Sequence, residues 1–272
     1  MSVYLGNQKV GESILENKAK LGKIVEGSLE EITPDELYQT YFINDYKFTY
    51  SNGLKKVTFH NEIYEIGMDA FSYCDNLEEV LNFWGHKIAD SAFYYCPKLK
   101  KIELKNLNVD IGAYVFRGSA LENSNVEDII NSKAYSLGRN TFMECNNLTK
   151  LNLTFNNFPD TVSTSVTENN TVYMISGIEI QQGMFMSCTN LEEVYLGPKV
   201  VKINDQVFSN CPKLKKMTVM AQFPPEVGSM GFIDNVYNHS IEAIYIPAGT
   251  IERYKNSYPY WSNFADLFVE IE

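Results

Sequence analysis

The sequence predicts a β-dominated solenoid: short parallel strands joined by tight turns or single 3-10 turns, with a capping segment at each end. Three observations carry that prediction. One phrase recurs, in which an apolar residue is followed by four residues, Phe, two residues, Cys, two residues and Leu. After each intact Leu, every second residue is mostly apolar. The segments 1–50 and 247–272 follow neither pattern.

The clearest copies are Ile66–Phe71–Cys74–Leu77, Ile88–Phe93–Cys96–Leu99, Leu137–Phe142–Cys145–Leu148, Ile180–Phe185–Cys188–Leu191 and Ile203–Phe208–Cys211–Leu214. Another, Ile111–Phe116–Ser119–Leu121, is one residue short. A period of roughly twenty residues marks a solenoid, in which each unit buries its apolar face against its neighbours.

The stretch after each Leu reads L-x-x-φ-x-φ, with φ mostly apolar, as in Leu99-Lys-Lys-Ile102-Glu-Leu104 and Leu191-Glu-Glu-Val194-Tyr-Leu196. Period-two alternation is the signature of a strand with one buried face. Leu54–Val57–Phe59 and Ile241–Ile244–Ile246 repeat the strand without the Phe–Cys turn and read as the first and last rungs. A second extended stretch precedes each Phe, as in Ile63-Tyr-Glu-Ile66 and Val200-Val-Lys-Ile203. The four residues between it and the Phe, such as Gly67-Met-Asp-Ala70, are too few for a helix and read as a turn.

These residues resemble the BspA-like (treponemal-type) leucine-rich repeat, I-G-x-x-A-F-x-x-C-x-x-L-x-x-V-x-L. The run Ile66-Gly-Met-Asp-Ala-Phe-Ser-Tyr-Cys-Asp-Asn-Leu-Glu-Glu-Val80 is close to that pattern, and the resemblance covers roughly 54–246. Phe223-Pro-Pro-Glu, Ile246-Pro-Ala-Gly-Thr-Ile-Glu-Arg-Tyr254 and Trp261-Ser-Asn-Phe264 resemble the end of such proteins. The resemblance implies a leucine-rich-repeat solenoid that recognises a partner without catalysis, in a family with many bacterial surface proteins. Val3-Tyr-Leu-Gly-Asn-Gln-Lys-Val10 also resembles the start of some phage tail-associated proteins of Gram-positive hosts.

The chain therefore divides into an N-terminal capping or assembly segment, 1–50, a repeat array, 51–246, and a C-terminal cap, 247–272. Residues 3–10 read as two short extended pieces around a turn. Thr33-Pro34-Asp35-Glu36 reads as a helix start, with Thr as N-cap, Pro at the first position and acids in the first turn. Phenylalanines in the array fall 22, 23, 26, 43 and 23 residues apart. The long interval holds Val162–Ile175, which alternates on both sides of Glu168-Asn-Asn170 and reads as a β-hairpin, inserted near 154–176. A degenerate repeat is the rival reading. In the copy at Phe116, Glu122–Asn131 replaces the usual strand. Pro247-Ala-Gly-Thr250 precedes a short helix to about Asn256, followed by the aromatic cluster Tyr258, Tyr260, Trp261, Phe264 and Phe268, which reads as a cap on the last rung, with an aromatic carbohydrate platform as the alternative.

The net charge of −11 disfavours nucleic acid, whose affinity rests on Lys and Arg against phosphates, and anionic membrane surfaces. No stretch is long and apolar enough for membrane insertion. The start lacks a basic region followed by an apolar one, so a virion protein released by lysis or a cytoplasmic protein is expected, or a cell-surface protein whose leader was removed. All five cysteines occupy one repeat position, which argues for small buried hydrophobes rather than disulfides. His60, His86 and His239 share no metal-ligand spacing, and no nucleophile elbow, zinc-protease, P-loop or dinucleotide motif is present. No cofactor, no metal and no catalytic residue is expected.

The residue before the first φ of each strand points away from the core. It reads Lys56, Glu79, Lys101, Lys150, Glu193 and Lys216. With parallel strands about 4.8 Å apart, Lys56–Glu79–Lys101 and Glu193–Lys216 are neighbours of opposite sign. They form a self-neutralising ladder that fixes register, the reading preferred to a groove for a charged ligand. The next outward position and its surroundings supply the candidate binding face: Leu81, Phe83, Trp84, Glu103, Tyr195 and Tyr245, since aromatic rings give large contact area at low entropy cost. Tyr73, Tyr94 and Tyr95, beside the cysteines, pack between rungs or form a Tyr-rich edge. The expected function is non-enzymatic recognition of a protein or surface glycan, with self-association or a larger assembly as a further possibility. Virion (phage tail or baseplate) and adhesin roles are the two settings.

Overall fold

The structure, a computed structural model, describes residues 28–33, 41–60, 63–156, 158–168, 171–233 and 240–272, together with the short strands Val3–Leu5, Gln8–Val10 and Lys23–Val25. The first two of these strands pair antiparallel. The helix expected from Thr33 falls on 34–40, outside the described residues.

Each repeat contributes three backbone segments, stacked on their equivalents in adjacent repeats. The strand after each Leu builds one parallel face: Ser28–Ile32, Lys56–Thr58, Glu79–Phe83 and Lys101–Leu104, then, after a break, Lys150–Leu153, Glu193–Leu196, Lys216–Val219, Ala243–Pro247 and Phe268–Ile271. The extended stretch before each Phe builds a second, from Phe42–Ile43 to Ala134–Leu137 and again from Thr171–Ile180 to Glu226–Val227. The predicted parallel solenoid is therefore correct. Two boundaries shift. Ser28–Ile32 stacks before the strand taken as first, and Phe268–Ile271 stacks after the one taken as last.

The third segment, the turn around Phe, is the continuous one. Three N–H groups of each turn, at the Phe and two residues to either side, donate to carbonyls of the next. Asp69, Phe71 and Tyr73 donate to Asp90, Ala92 and Tyr94 at 3.1, 2.8 and 2.8 Å. Asn140, Phe142 and Glu144 donate to Gln182, Met184 and Met186 at 2.9, 3.1 and 2.9 Å. The flanking residues are left-handed in each case, with φ of 52° and 56° at Asp69 and Tyr73 and of 56° and 62° at Asn140 and Glu144. L-residues adopt that conformation at a cost, which the inter-turn hydrogen bonds and the ring packing beneath offset.

That packing is a ladder of parallel rings. Phe48, Phe71, Phe93, Phe116, Phe142, Phe185 and Phe208 lie 5.0 to 5.9 Å apart, and no ring tilts more than 19° from the next. All are buried. Phe48 belongs to a rung, Ile43–Phe48–Ser51–Leu54, whose first half lies in the segment read as non-repetitive. Ser51 holds the cysteine position there, which hides the copy. At the far end Phe208 donates its N–H to Phe232 at 2.8 Å, extending the turn column one rung beyond the last Cys.

Each Cys has a defined task. Its thiol donates to the carbonyl of the Phe one turn earlier: Cys74 to Phe48, Cys96 to Phe71, Cys145 to Phe116, Cys188 to Phe142 and Cys211 to Phe185, at 3.1 to 3.3 Å. A small side chain with a weak donor fits a dry site facing one carbonyl. All five are free and buried. Burial pushes the Cys145 thiol up to about 12.

The long interval is a β-hairpin. Val162–Glu168 pairs antiparallel with the first part of Thr171–Ile180, from Val162↔Gly177 to Glu168↔Thr171. The second part of that strand, Ile178–Ile180, rejoins the parallel stack against Val200–Ile203.

Candidate binding surface

The strand face is divided in two by Glu122–Asn131, as its sequence anticipates. An α-helix, Asn123–Asp128, runs into a π turn, Ile129–Lys133, where a strand would lie. This exposes a strand edge on either side, and side chains satisfy both. The Asn125 amide accepts from the Ile102 N–H and donates to the Ile102 carbonyl, each at 2.8 Å, as a neighbouring peptide group would. Toward the other edge, Glu127 accepts from Asn152 N–H at 2.7 Å, and Asn131 donates to Asn152 carbonyl at 2.6 Å and accepts from Thr154 N–H at 2.7 Å. Asn123, Glu127 and Asn131 are four residues apart, hence on one helix face.

The six candidate residues consequently do not form one site. Leu81, Trp84 and Glu103 lie on the N-terminal half. Trp84 is 45% exposed and donates its indole N–H to Asn82 at 2.9 Å. Glu103 accepts from Asn82 N–H at 3.1 Å and pairs with Lys105 at 2.6 Å, and the Lys105 hydrogen bond holds its carboxyl below the usual range. Phe83 is corrected: it is 0% exposed and packs on Phe59, ring centroids 5.7 Å apart. The cause is a bulge. Asn82 is left-handed (φ 62°) and the register slips between Ile102↔Val80 and Leu104↔Phe83, which turns Phe83 inward.

Tyr195 and Tyr245 lie on the C-terminal half in one row, Asn152↔Tyr195↔Thr218↔Tyr245. Beside it runs the charged row, Lys150↔Glu193↔Lys216. Glu193 sits between two ammonium groups, 3.0 Å from Lys150 and 3.6 Å from Lys216, and the Lys150 hydrogen bond is first among the causes that hold its carboxyl below the usual range. The two rows and Glu127 line an open cleft of about 420 Å³. On the N-terminal half the predicted register Lys56↔Glu79↔Lys101 is present. The exposed pairs of Glu193 with Lys150 and Lys216 are screened by solvent and add little to stability. With Glu127 the charges lining that cleft sum to zero and leave the tyrosines as its distinctive groups.

The tyrosines beside the cysteines both pack between rungs and form an edge. Tyr50, Tyr73 and Tyr95 stack at 4.9 and 6.0 Å. Arg117 closes the stack over Tyr94 and Tyr95, 5.4 Å from each ring centre, and pairs with Glu144 at 2.8 Å. Tyr95 donates its hydroxyl to the same carboxylate.

A second cleft, of about 830 Å³, was not legible in the sequence. It lies between the hairpin, at residues 164–167, and the C-terminal residues 223–229, 252–253 and 256–261. Tyr173 of the hairpin meets Phe223, ring centroids 5.7 Å apart. Trp261 is a core residue at its base, 1% exposed, with its indole N–H on the Pro225 carbonyl at 2.7 Å.

Among the described residues no group of three or more His, Cys, Asp or Glu is placed to hold a metal ion, and no helix is long and apolar enough to cross a membrane.

A sequence profile for the BspA type leucine rich repeat region matches six copies, over residues 25–132, 123–236 and 178–269. A comparison with curated proteins gives no match. Similar solved structures include a leucine-rich repeat protein of T. pallidum, 18% identical over 74% of this chain and 71% of that one, TM-score 0.41. A leucine-rich repeat protein of Bacteroides ovatus is 16% identical over 90% and 70%, TM-score 0.41. A leucine rich cell surface protein of Faecalibacterium prausnitzii is 13% identical over 90% and 77%, TM-score 0.36. The phage-tail resemblance of residues 3–10 gains no support among these matches.

Proposed function

Since the chain belongs to the BspA-type leucine-rich-repeat family, we propose that it is a non-enzymatic recognition protein that binds a protein partner on the C-terminal half of its strand face. The observation that carries this reading is the row Asn152–Tyr195–Thr218–Tyr245 beside the ion-paired row Lys150–Glu193–Lys216. Tyrosines on rigid parallel strands present contact area already fixed in place, so little ordering cost remains at binding. A charge-neutral rim suits a partner of either sign. Family membership favours a setting at a bacterial surface, as an adhesin; no observation favours the virion setting over it.

The test is an array of immobilised extracellular proteins and glycans probed with the full chain and with a Tyr195→Ala/Tyr245→Ala variant. Both side chains are partly exposed, so the variant keeps its fold. Saturable binding to a protein, weakened at least about tenfold in the variant, is the expected result. Equal binding by both forms, or binding to glycans alone, contradicts the reading.

A further inference from the structure

The hairpin ends in an edge strand that faces the large cleft. In the sheet order, Val162–Glu168 is outermost, with Thr171–Ile180 on its inner side. Its even-numbered side chains turn toward the solenoid: Thr164 and Val166, with Ile175, line a small hollow against Val201, Ala221 and Phe223. Alternate residues of a strand point to opposite faces. Yet four consecutive residues, Thr164, Ser165, Val166 and Thr167, line the large cleft. Only the backbone edge of a strand presents four residues in a row. That edge carries no Lys, Pro or bulge, the usual devices that keep an edge from pairing. The opposite wall, residues 223–229, 252–253 and 256–261, recesses it and leaves room for one extended chain.

The charge of the cleft selects what enters. Its ionisable side chains are Glu226, Glu252 and Arg253. Arg253 is engaged, 4.7 Å over the Phe223 ring and with its guanidinium on the Gln222 carbonyl at 3.2 Å. Lys202, next to Glu226 in register, pairs with Glu179 at 3.3 Å. Neither Glu226 nor Glu252 has an ion-pair partner among the described residues. Tyr258, 85% exposed, lies on the same wall. Together the three ionisable side chains carry a net charge of −1, and two carboxylates without an ion-pair partner beside an open aromatic face recognise ammonium or guanidinium groups.

We infer that the cleft binds an extended peptide segment bearing Lys or Arg, which adds as a strand to the outer edge of Val162–Glu168 and places its cationic side chains toward Glu226, Glu252 and Tyr258. Main-chain pairing supplies affinity and the carboxylates supply selection, as in other strand-addition modes. This surface is separate from the Tyr195–Tyr245 face, and its test does not depend on that face.

The probe is an acetylated, amidated octapeptide of alternating Lys and Val, titrated calorimetrically into the full chain, with hydrogen exchange read on the bound form. Saturable binding with slowed exchange at 164–167 is expected. N-methylating all of one residue type abolishes binding while methylating the other is tolerated, because an added strand uses the N–H groups of one parity. A Glu226→Gln/Glu252→Gln variant, altered only at exposed positions, binds at least about tenfold more weakly. The inference is overturned if the peptide fails to saturate, if neither methylation matters, or if an alternating Glu–Val peptide binds as tightly. It is also overturned if maltohexaose, and not the peptide, protects 164–167.

Discussion

The thiol of Cys188 donates to the carbonyl of Phe142, 46 residues earlier in the chain and one turn away in space, at 3.3 Å. The other four cysteines reach back 25 to 29 residues for the same bond. The hairpin and its flanks account for the difference. They leave the stack after Leu153 and return at Ile178, and the turn column passes them by.

Removing the hairpin therefore spares the fold. Thr161 N–H bonds the Gly177 carbonyl at 2.7 Å, so the two ends are adjacent. A chain lacking 162–176, closed by a short Gly linker, unfolds in one transition within a few degrees of the parent in a thermal scan. Loss of cooperativity would show that the hairpin holds the two halves together.

Phe142 is the rung that carries the stack across the insertion. Phe142→Ala leaves a cavity between Phe116 and Phe185 and costs about 3–5 kcal/mol in urea unfolding. Trp261→Ala destabilises on a similar scale, because the ring is buried and its N–H satisfies the Pro225 carbonyl. Trp84→Ala, at an exposed position, costs under about 1 kcal/mol.

Asn125→Leu strands the Ile102 N–H and carbonyl at a buried edge and costs about 1–3 kcal/mol. Asn125→Asp keeps the acceptor but sets a carboxylate against the Ile102 carbonyl. Its folded pKa then lies above its unfolded one, so protonation at acid pH restores stability relative to wild type. Chemical unfolding at pH 7 and pH 4 compares the two. An Asp variant as stable as wild type at pH 7 would remove this role.

The thiols of Cys96, Cys145 and Cys188 make stability fall at alkaline pH. Burial moves Cys145 from its ordinary 9.0 to about 12 and raises Cys96 and Cys188 as well. Above pH 9 the unfolded chain loses thiol protons that the folded chain retains, so unfolding gains a favourable slope with pH. Replacing Cys96, Cys145 and Cys188 together by Ala flattens that slope. Native thiols also label slowly with a thiol reagent at pH 8; fast reaction of several would contradict their burial.

Much of the fold was legible because the repeat writes the same demand many times. The Phe ladder needs Phe, the facing carbonyl needs a small donor, and the strand needs alternation. Legibility ended where one demand was met by a different residue. Ser51 stands for Cys in the Phe48 rung, and the Phe232 rung carries no Cys at all. Phe83 reads as outward by parity alone, and the left-handed Asn82 that reverses it has no counterpart in neighbouring strands. Tyr195 and Tyr245 fall in one row because their strands keep strict register. The hairpin–cap cleft depends on segments more than fifty residues apart in sequence that approach only in three dimensions, a relationship no local pattern encodes.

Continuity of the turn column across the insertion is what holds the two halves of the strand face in one rigid body. Native-state hydrogen exchange at the Phe142 and Glu144 amides, which bond to Met184 and Met186, measures it directly. The account predicts exchange as slow as at Phe71 and Phe93, through the same global opening. Fast exchange at Phe142 and Glu144, with Phe71 and Phe93 still protected, would mean two solenoids joined at a hinge.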